Sequence, residues 1–215
     1  MYALIAGEKR DKNEFDFPRI VVYSLDMKAV DNILKVYAQC LPDEHRAGMR
    51  WYRTAHNAAV FLARHHDLSV HQTSAIIAVL SPGLRWEHNI EAAERVICGF
   101  SLDGLGVRWS LNVVKAQRIL NGKNPDVVVK GNKVRAFWSC IECPNDTLSV
   151  CIDGHAFAIC AGKRITLDDT PTMNDRHYNR LAKHYSDAAR EIGIRPCQLQ
   201  AATWLTWRRL HDVVK

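Results

Sequence analysis

The sequence predicts an all-α protein, and three features predict it. From Asp26 onward apolar residues recur at the 3.6-residue helical period, Gly and Pro break these stretches at short intervals, and no succession of alternating strand patterns appears. The first helix is expected from Asp26, with Val30, Ile33, Leu34, Tyr37 and Leu41 along one face and Pro42 as its stop. A second spans about Ala47 to His66, carrying Trp51, Ala55, Ala58, Ala59 and Leu62 on one side. A third runs from Ser69 or Val70 to Leu80 and breaks at Ser81-Pro82-Gly83. A fourth covers Arg85 to Cys98 before Gly99, and a fifth Leu111 to Leu120 after the Gly104 and Gly106 loop.

Asn121-Gly122 and Asn124-Pro125-Asp126 read as turn, and Lys130-Gly131-Asn132-Lys133 as a second, tight turn before a helix over Val134 to Ile141. A short apolar helix follows from Asp153 to Cys160, with Gly162 as its stop. Two longer helices, Asn174 to Ile192 and Arg195 to Val214, close the chain. Residues 1–25, with a charged stretch and then Ile20-Val21-Val22-Tyr23, read as an N-terminal arm or short strand, and residues 26–215 as one helical domain.

Composition narrows the function classes. A chain of 215 residues is long enough for one well-buried helical domain or two small lobes sharing a core. The longest apolar runs, such as Ala75 to Leu80, fall far short of a bilayer span, and Met1 to Arg10 reads as neither signal nor transit peptide. A cytoplasmic setting and no membrane partner are therefore expected. Lys and Arg number 29 against 23 Asp and Glu, and the resulting net charge of +6 favours a polyanionic partner. Seven cysteines are an odd number without secretory context, which argues against a disulfide framework. Cys140 and Cys143 form a C-x2-C pair, but Cys151 and Cys160 do not complete a zinc or iron–sulfur spacing, so no metal or cofactor is expected.

The chemistry is concentrated in two stretches, Val129-Lys130-Gly131-Asn132-Lys133-Val134-Arg135-Ala136-Phe137 and Val150-Cys151-Ile152-Asp153-Gly154-His155-Ala156. A glycine turn ahead of a helix directs backbone N–H groups outward, where the helix dipole favours an anion such as a phosphate. An Asp opening a helix is ordinarily an N-cap, and a Lys beside a turn is ordinarily a solvated charge.

In order and spacing, these stretches resemble the helix-hairpin-helix (HhH-GPD) DNA glycosylase superfamily. Gly131-Asn132-Lys133 resembles the end of its hairpin, here about residues 127–142, and Ile152-Asp153-Gly154-His155 resembles its catalytic aspartate segment, with 20 residues between Lys133 and Asp153. Ala78-Val79-Leu80-Ser81-Pro82, with Asn89 beyond it, resembles the early helix and the loop that helps hold the duplex open. Leu111 to Ile119 resembles the helix before the hairpin, and Ala201 to Arg208 the aromatic helix near the end of some members. The likeness spans about residues 70 to 210. Three departures stand out. Val129-Lys130 replaces the hairpin's Pro-Gly, the cluster cysteines of the endonuclease III branch are missing, and Pro82 occupies the position of a frequent Gln.

The resemblance implies two helical lobes with an active-site cleft between them, and a monomer that flips a damaged or modified base out of double-stranded DNA and excises it. Asp153 would stabilise the positive charge developing on the sugar, and Lys133 would attack C1′ to form a Schiff base in a bifunctional enzyme with lyase activity. Lys130, Gly131, Asn132, Arg135, His155, Ser81, Arg85 and Trp86 would contact DNA. Trp51, Trp86, Phe137, Trp138, Trp204 and Trp207 include candidates to stack on the flipped base. Two alternatives fit the same scaffold. One is a phage-type hypermodification enzyme that joins an amine or amino acid to an activated thymine, and the other a non-catalytic DNA-binding module.

Overall fold

A computed structural model describes residues 28–106, 110–145, 147–166 and 169–212. The expected N-terminal arm, 1–25, lies outside the described residues. Among those described, ten helices and no strands are present. They are α1 (Ala29–Tyr37), α2 (Pro42–His65), α3 (Val70–Leu80), α4 (Trp86–Cys98), α5 (Ser110–Leu120), the single turn α6 (Pro125–Val128), α7 (Asn132–Glu142), α8 (Gly154–Ala161), α9 (Asp175–Ile192) and α10 (Pro196–Leu210). The all-α class is thus as expected, and none of these helices is long and apolar enough to cross a membrane.

Several boundaries differ from expectation, each for a local reason. α1 ends at Tyr37, and Leu41, placed on its apolar face by periodicity, is half exposed and precedes α2. Pro42 begins α2 instead of merely ending α1, because the missing N–H costs nothing in a first helical turn. The Leu41 N–H donates to the Glu44 carboxylate, which also receives the Arg209 guanidinium at 2.6 Å. Arg209 holds the Glu44 carboxyl below the usual range and ties the end of α10 to the start of α2. The Asn124-Pro125-Asp126 turn extends into α6, with the Asn124 side chain accepting from the Asp126 N–H at 2.9 Å. The last helix stops at Leu210; Val213 and Val214 lie outside the described residues.

α3 is the centre of the larger apolar cluster. Every residue from Thr73 to Leu80 is buried, the pattern of a helix covered on all sides, here by α2, α4, α5 and α7. Its two hydroxyls are absorbed locally. Thr73 donates to the Ala59 carbonyl, and Ser74 donates to the Val70 carbonyl and accepts from the Trp138 indole. A second apolar cluster joins α1, α8 and α9 through Ile33, Ile159 and Tyr185. Ala136 of α7 and Leu199 and Trp207 of α10 belong to this second cluster, whereas Trp138 of α7 and Ala201 of α10 belong to the first. α7 and α10 therefore bridge the two cores.

Two close approaches fix this arrangement. Gly48 on α2 lies so near α10 that a Cβ there would meet Ala202 Cα at 2.5 Å. Gly162, at φ 64°, ends α8 in the left-handed region, and its bare Cα faces the Asn32 amide. That amide donates to the Cys160 carbonyl at 3.0 Å, so α1 satisfies the end of α8.

Candidate active site

α7 starts at Asn132, two residues earlier than expected, which puts Lys133 in its first turn. Gly131 precedes it at φ 82° and ψ 134°, a conformation that L side chains rarely adopt, so the sharp entry into α7 depends on glycine. Among the described residues no side chain caps this helix, and the first-turn N–H groups keep their capacity for an external acceptor. Asn132 is not free to reach outward through its side chain, which donates to Asp175 at 2.8 Å and ties α7 to the start of α9. Arg135 is likewise engaged, donating to the Val129 and Asp126 carbonyls at 3.0 and 3.1 Å. Its guanidinium closes the turn from within.

Asp153 caps α8, accepting the Ala156 N–H through Oδ1 at 2.8 Å. This is the ordinary capping role of such an Asp, and it leaves Oδ2 without a hydrogen-bond partner among the described residues. The segment leading to Asp153 is held by one side chain. The Tyr178 hydroxyl donates to the Val150 carbonyl at 2.8 Å and accepts from the Ile152 N–H at 3.1 Å. Tyr178→Phe is expected to strand both groups, lowering unfolding free energy by about 1–3 kcal/mol. Denaturant titration measures the loss.

These elements border one cavity of about 670 Å³, within the range of small-ligand sites. Lys133, Asp153, His155, Gly131, Asn132, Ser81 and Trp86 all line it; Lys130, Arg85 and Arg135 do not. Lys133 is exposed at the rim, and Asp153 is half-buried. Ser81 spends its hydroxyl on the Ala78 carbonyl at 2.9 Å, and His155 is buried beside Trp204. One wall is aromatic, with Trp51 packed 5.1 Å from Trp86 and 5.8 Å from Phe137 between ring centroids. Trp204 adds another ring, covered by the Arg208 guanidinium at 4.5 Å. Trp138 and Trp207 belong to the cores instead. Residues at the N-terminal ends of α4, α7, α8 and α9 border the same space, and the partial positive charge of a helix start favours an anion.

Cys151 lies beside Lys133 and Asp153, yet burial pushes its thiol up to about 12, against the pull of the Lys133 ammonium and with help from the Asp153 carboxylate. It remains a thiol at neutral pH and offers no nucleophile.

The sequence left several lining residues unremarked. Tyr52 and Gln200 meet across the back of the cavity, the tyrosine hydroxyl donating to Gln200 Oε1 at 2.9 Å. Thr170 to Met173, the loop before α9, close another side. Neither group carries a local motif, since each reaches the cavity only through packing between distant helices.

Residues 22–211 match the model of a family described as "Family of unknown function (DUF7178)". No curated protein and no solved structure matches the chain.

Proposed function

We propose a function from the site itself, because the chain belongs to this family, whose function is unknown: it is a DNA glycosylase-like enzyme that takes a damaged or modified base out of the duplex and excises it. The observation that carries this reading is the pairing, in one aromatic-walled cavity, of the Asp153 carboxylate with the Lys133 amine at its rim. The resemblance of both segments to helix-hairpin-helix glycosylases and the net charge of +6 support it.

The chemistry follows from the groups present. Cleavage of the bond between the base nitrogen and C1′ sends the bonding electrons out with the base and leaves positive charge on the sugar. A fixed carboxylate near that carbon stabilises the charge without reorganising, and the Oδ2 of Asp153 is the oxygen left for this task. Water then adds at C1′. Alternatively the Lys133 amine adds, loses a proton, and yields a Schiff base once the sugar ring opens. The uncapped first turn of α7 is suited to hold a backbone phosphate beside the lesion.

The test is incubation with DNAs carrying different damaged and virus-type modified bases, scored for abasic sites with and without borohydride. Release of a base from at least one substrate is expected. DNA binding without release across the panel would leave a binding module, and product formation only with an added amine donor and a phosphorylated base would indicate transfer. For the lysine step, borohydride should trap a covalent protein–DNA adduct in wild type and none in Lys133→Ala. An adduct of equal yield in that variant removes Lys133 from the chemistry.

A further inference from the structure

Polar atoms sealed inside a protein almost always have a hydrogen-bond partner. Asn89, on the buried face of α4 and only 2% exposed, departs from this rule. Its Oδ1 is fully sequestered and has no hydrogen-bond partner among the described residues, and the residue lines the cavity that holds Asp153. Its backbone N–H donates to the Arg85 carbonyl at 2.8 Å, the ordinary helical bond, and needs nothing from the side chain. An unsatisfied buried carbonyl weakens a fold, and an apolar residue of similar size would remove that penalty. Packing therefore does not account for an Asn here.

We infer that Asn89 reads the edge of the bound base, a proposal that rests on the cavity being a base pocket. A carboxamide offers an acceptor beside a donor, and the complementary ligand is a planar heterocycle with an N–H next to an acceptor, the edge nucleobases present. Trp86 lies one turn earlier on the same helix, at the i, i+3 spacing that puts two side chains on one face. One residue thus offers a ring face while the other offers hydrogen bonds. Gln200 supplements this from α10: its Oε1 is occupied by the Tyr52 hydroxyl, so its NH2 is the group left for a ligand acceptor.

The experiment compares wild type with Asn89→Leu, using free nucleosides and oligonucleotides with one unpaired base, read by quenching of tryptophan fluorescence and by thermal melting. Wild type should bind a nucleoside at least about tenfold more tightly than its N-methylated counterpart lacking the edge N–H, a factor equal to about 1.4 kcal/mol. Candidate pairs are adenosine with N6,N6-dimethyladenosine, cytidine with N4,N4-dimethylcytidine, and thymidine with 3-methylthymidine. Asn89→Leu should lose that discrimination and melt roughly 2–4 °C higher, since the orphaned oxygen is gone. A lower melting temperature or an unfolded variant would make Asn89 structural and overturn the proposal. Equal binding of parent and methylated nucleosides by wild type overturns it without any variant. Oligonucleotide binding unchanged in Asn89→Leu rejects the role of Asn89 while DNA recognition stands. Nucleoside discrimination without oligonucleotide binding rejects DNA as substrate while Asn89 stands, and binding of neither rejects both.

Discussion

Asp153→Asn is expected to lower base release by about 10²–10³-fold or more while leaving DNA affinity and melting temperature near wild type, as befits loss of one preorganised electrostatic group. The structure makes this substitution informative. Asp153 has two roles that local sequence cannot separate: its Oδ1 caps α8 through the Ala156 N–H, and its other oxygen is left to the cavity. Asn caps helices as well as Asp does, so the variant keeps the first role and removes only the charge. Asp153→Ala removes both, and its additional cost of about 1 kcal/mol in stability is that of the lost cap. Rate and stability are thereby assigned to different atoms of one side chain. Near-wild-type release by Asp153→Asn would reduce the residue to its cap, and the proposed chemistry would lose its carboxylate.

The second large effect is on folding. Gly48→Ala is expected to destabilise the protein by about 2–3 kcal/mol, at the upper part of the range for overpacked interiors. In melting temperature this is a fall of roughly 5–10 °C for a chain of this size. The added Cβ would come within 2.5 Å of Ala202 Cα and 2.7 Å of its nitrogen, and backbone atoms of a helix do not move aside as a side chain end would. The helices α2 and α10 must separate. Because α10 carries Gln200, Ala201 and Trp204, and α2 carries Trp51 and Tyr52, separation also reshapes the cavity. Calorimetry of Gly48→Ala checks the first consequence, and base release at a temperature where the variant is fully folded checks the second. An unchanged melting temperature would mean that the two helices do not pack at this crossing.

Much of the architecture can be read in the linear chain, because the physics that specifies it is local. Helical period, a Gly in the left-handed region and an Asp before an apolar run each act within about one helical turn. They locate α3, α4, α8 and α9 to within a residue or two, and they single out Gly131, Lys133 and Asp153 as belonging to turn and helix starts. Where two local meanings compete, the chain alone is ambiguous. Pro42 can end one helix or begin the next, and Leu41 changes from core residue to exposed linker accordingly. Arg135 shows the same limit, since a cation beside a glycine turn can face an external phosphate or, as here, the turn's own carbonyls.

What only the tertiary structure decided is which groups share a space. Asn89 on α4, Tyr178 on α9, Gln200 on α10 and Tyr52 on α2 border one cavity with Asp153, although Tyr52 and Gln200 stand 148 residues apart. Periodicity tells which face of a helix turns inward but not which partner it meets, since hydrophobic burial is non-directional. The pairing is set by packing: the bare Cα of Gly48, the bridging of two cores by α7 and α10, and the fit of Asn32 to the end of α8. The sequence by itself determined an all-helical chain with Lys133 in a glycine turn before one helix and Asp153 at the start of another. The tertiary structure placed those two side chains, and an unsatisfied asparagine, around the same cavity.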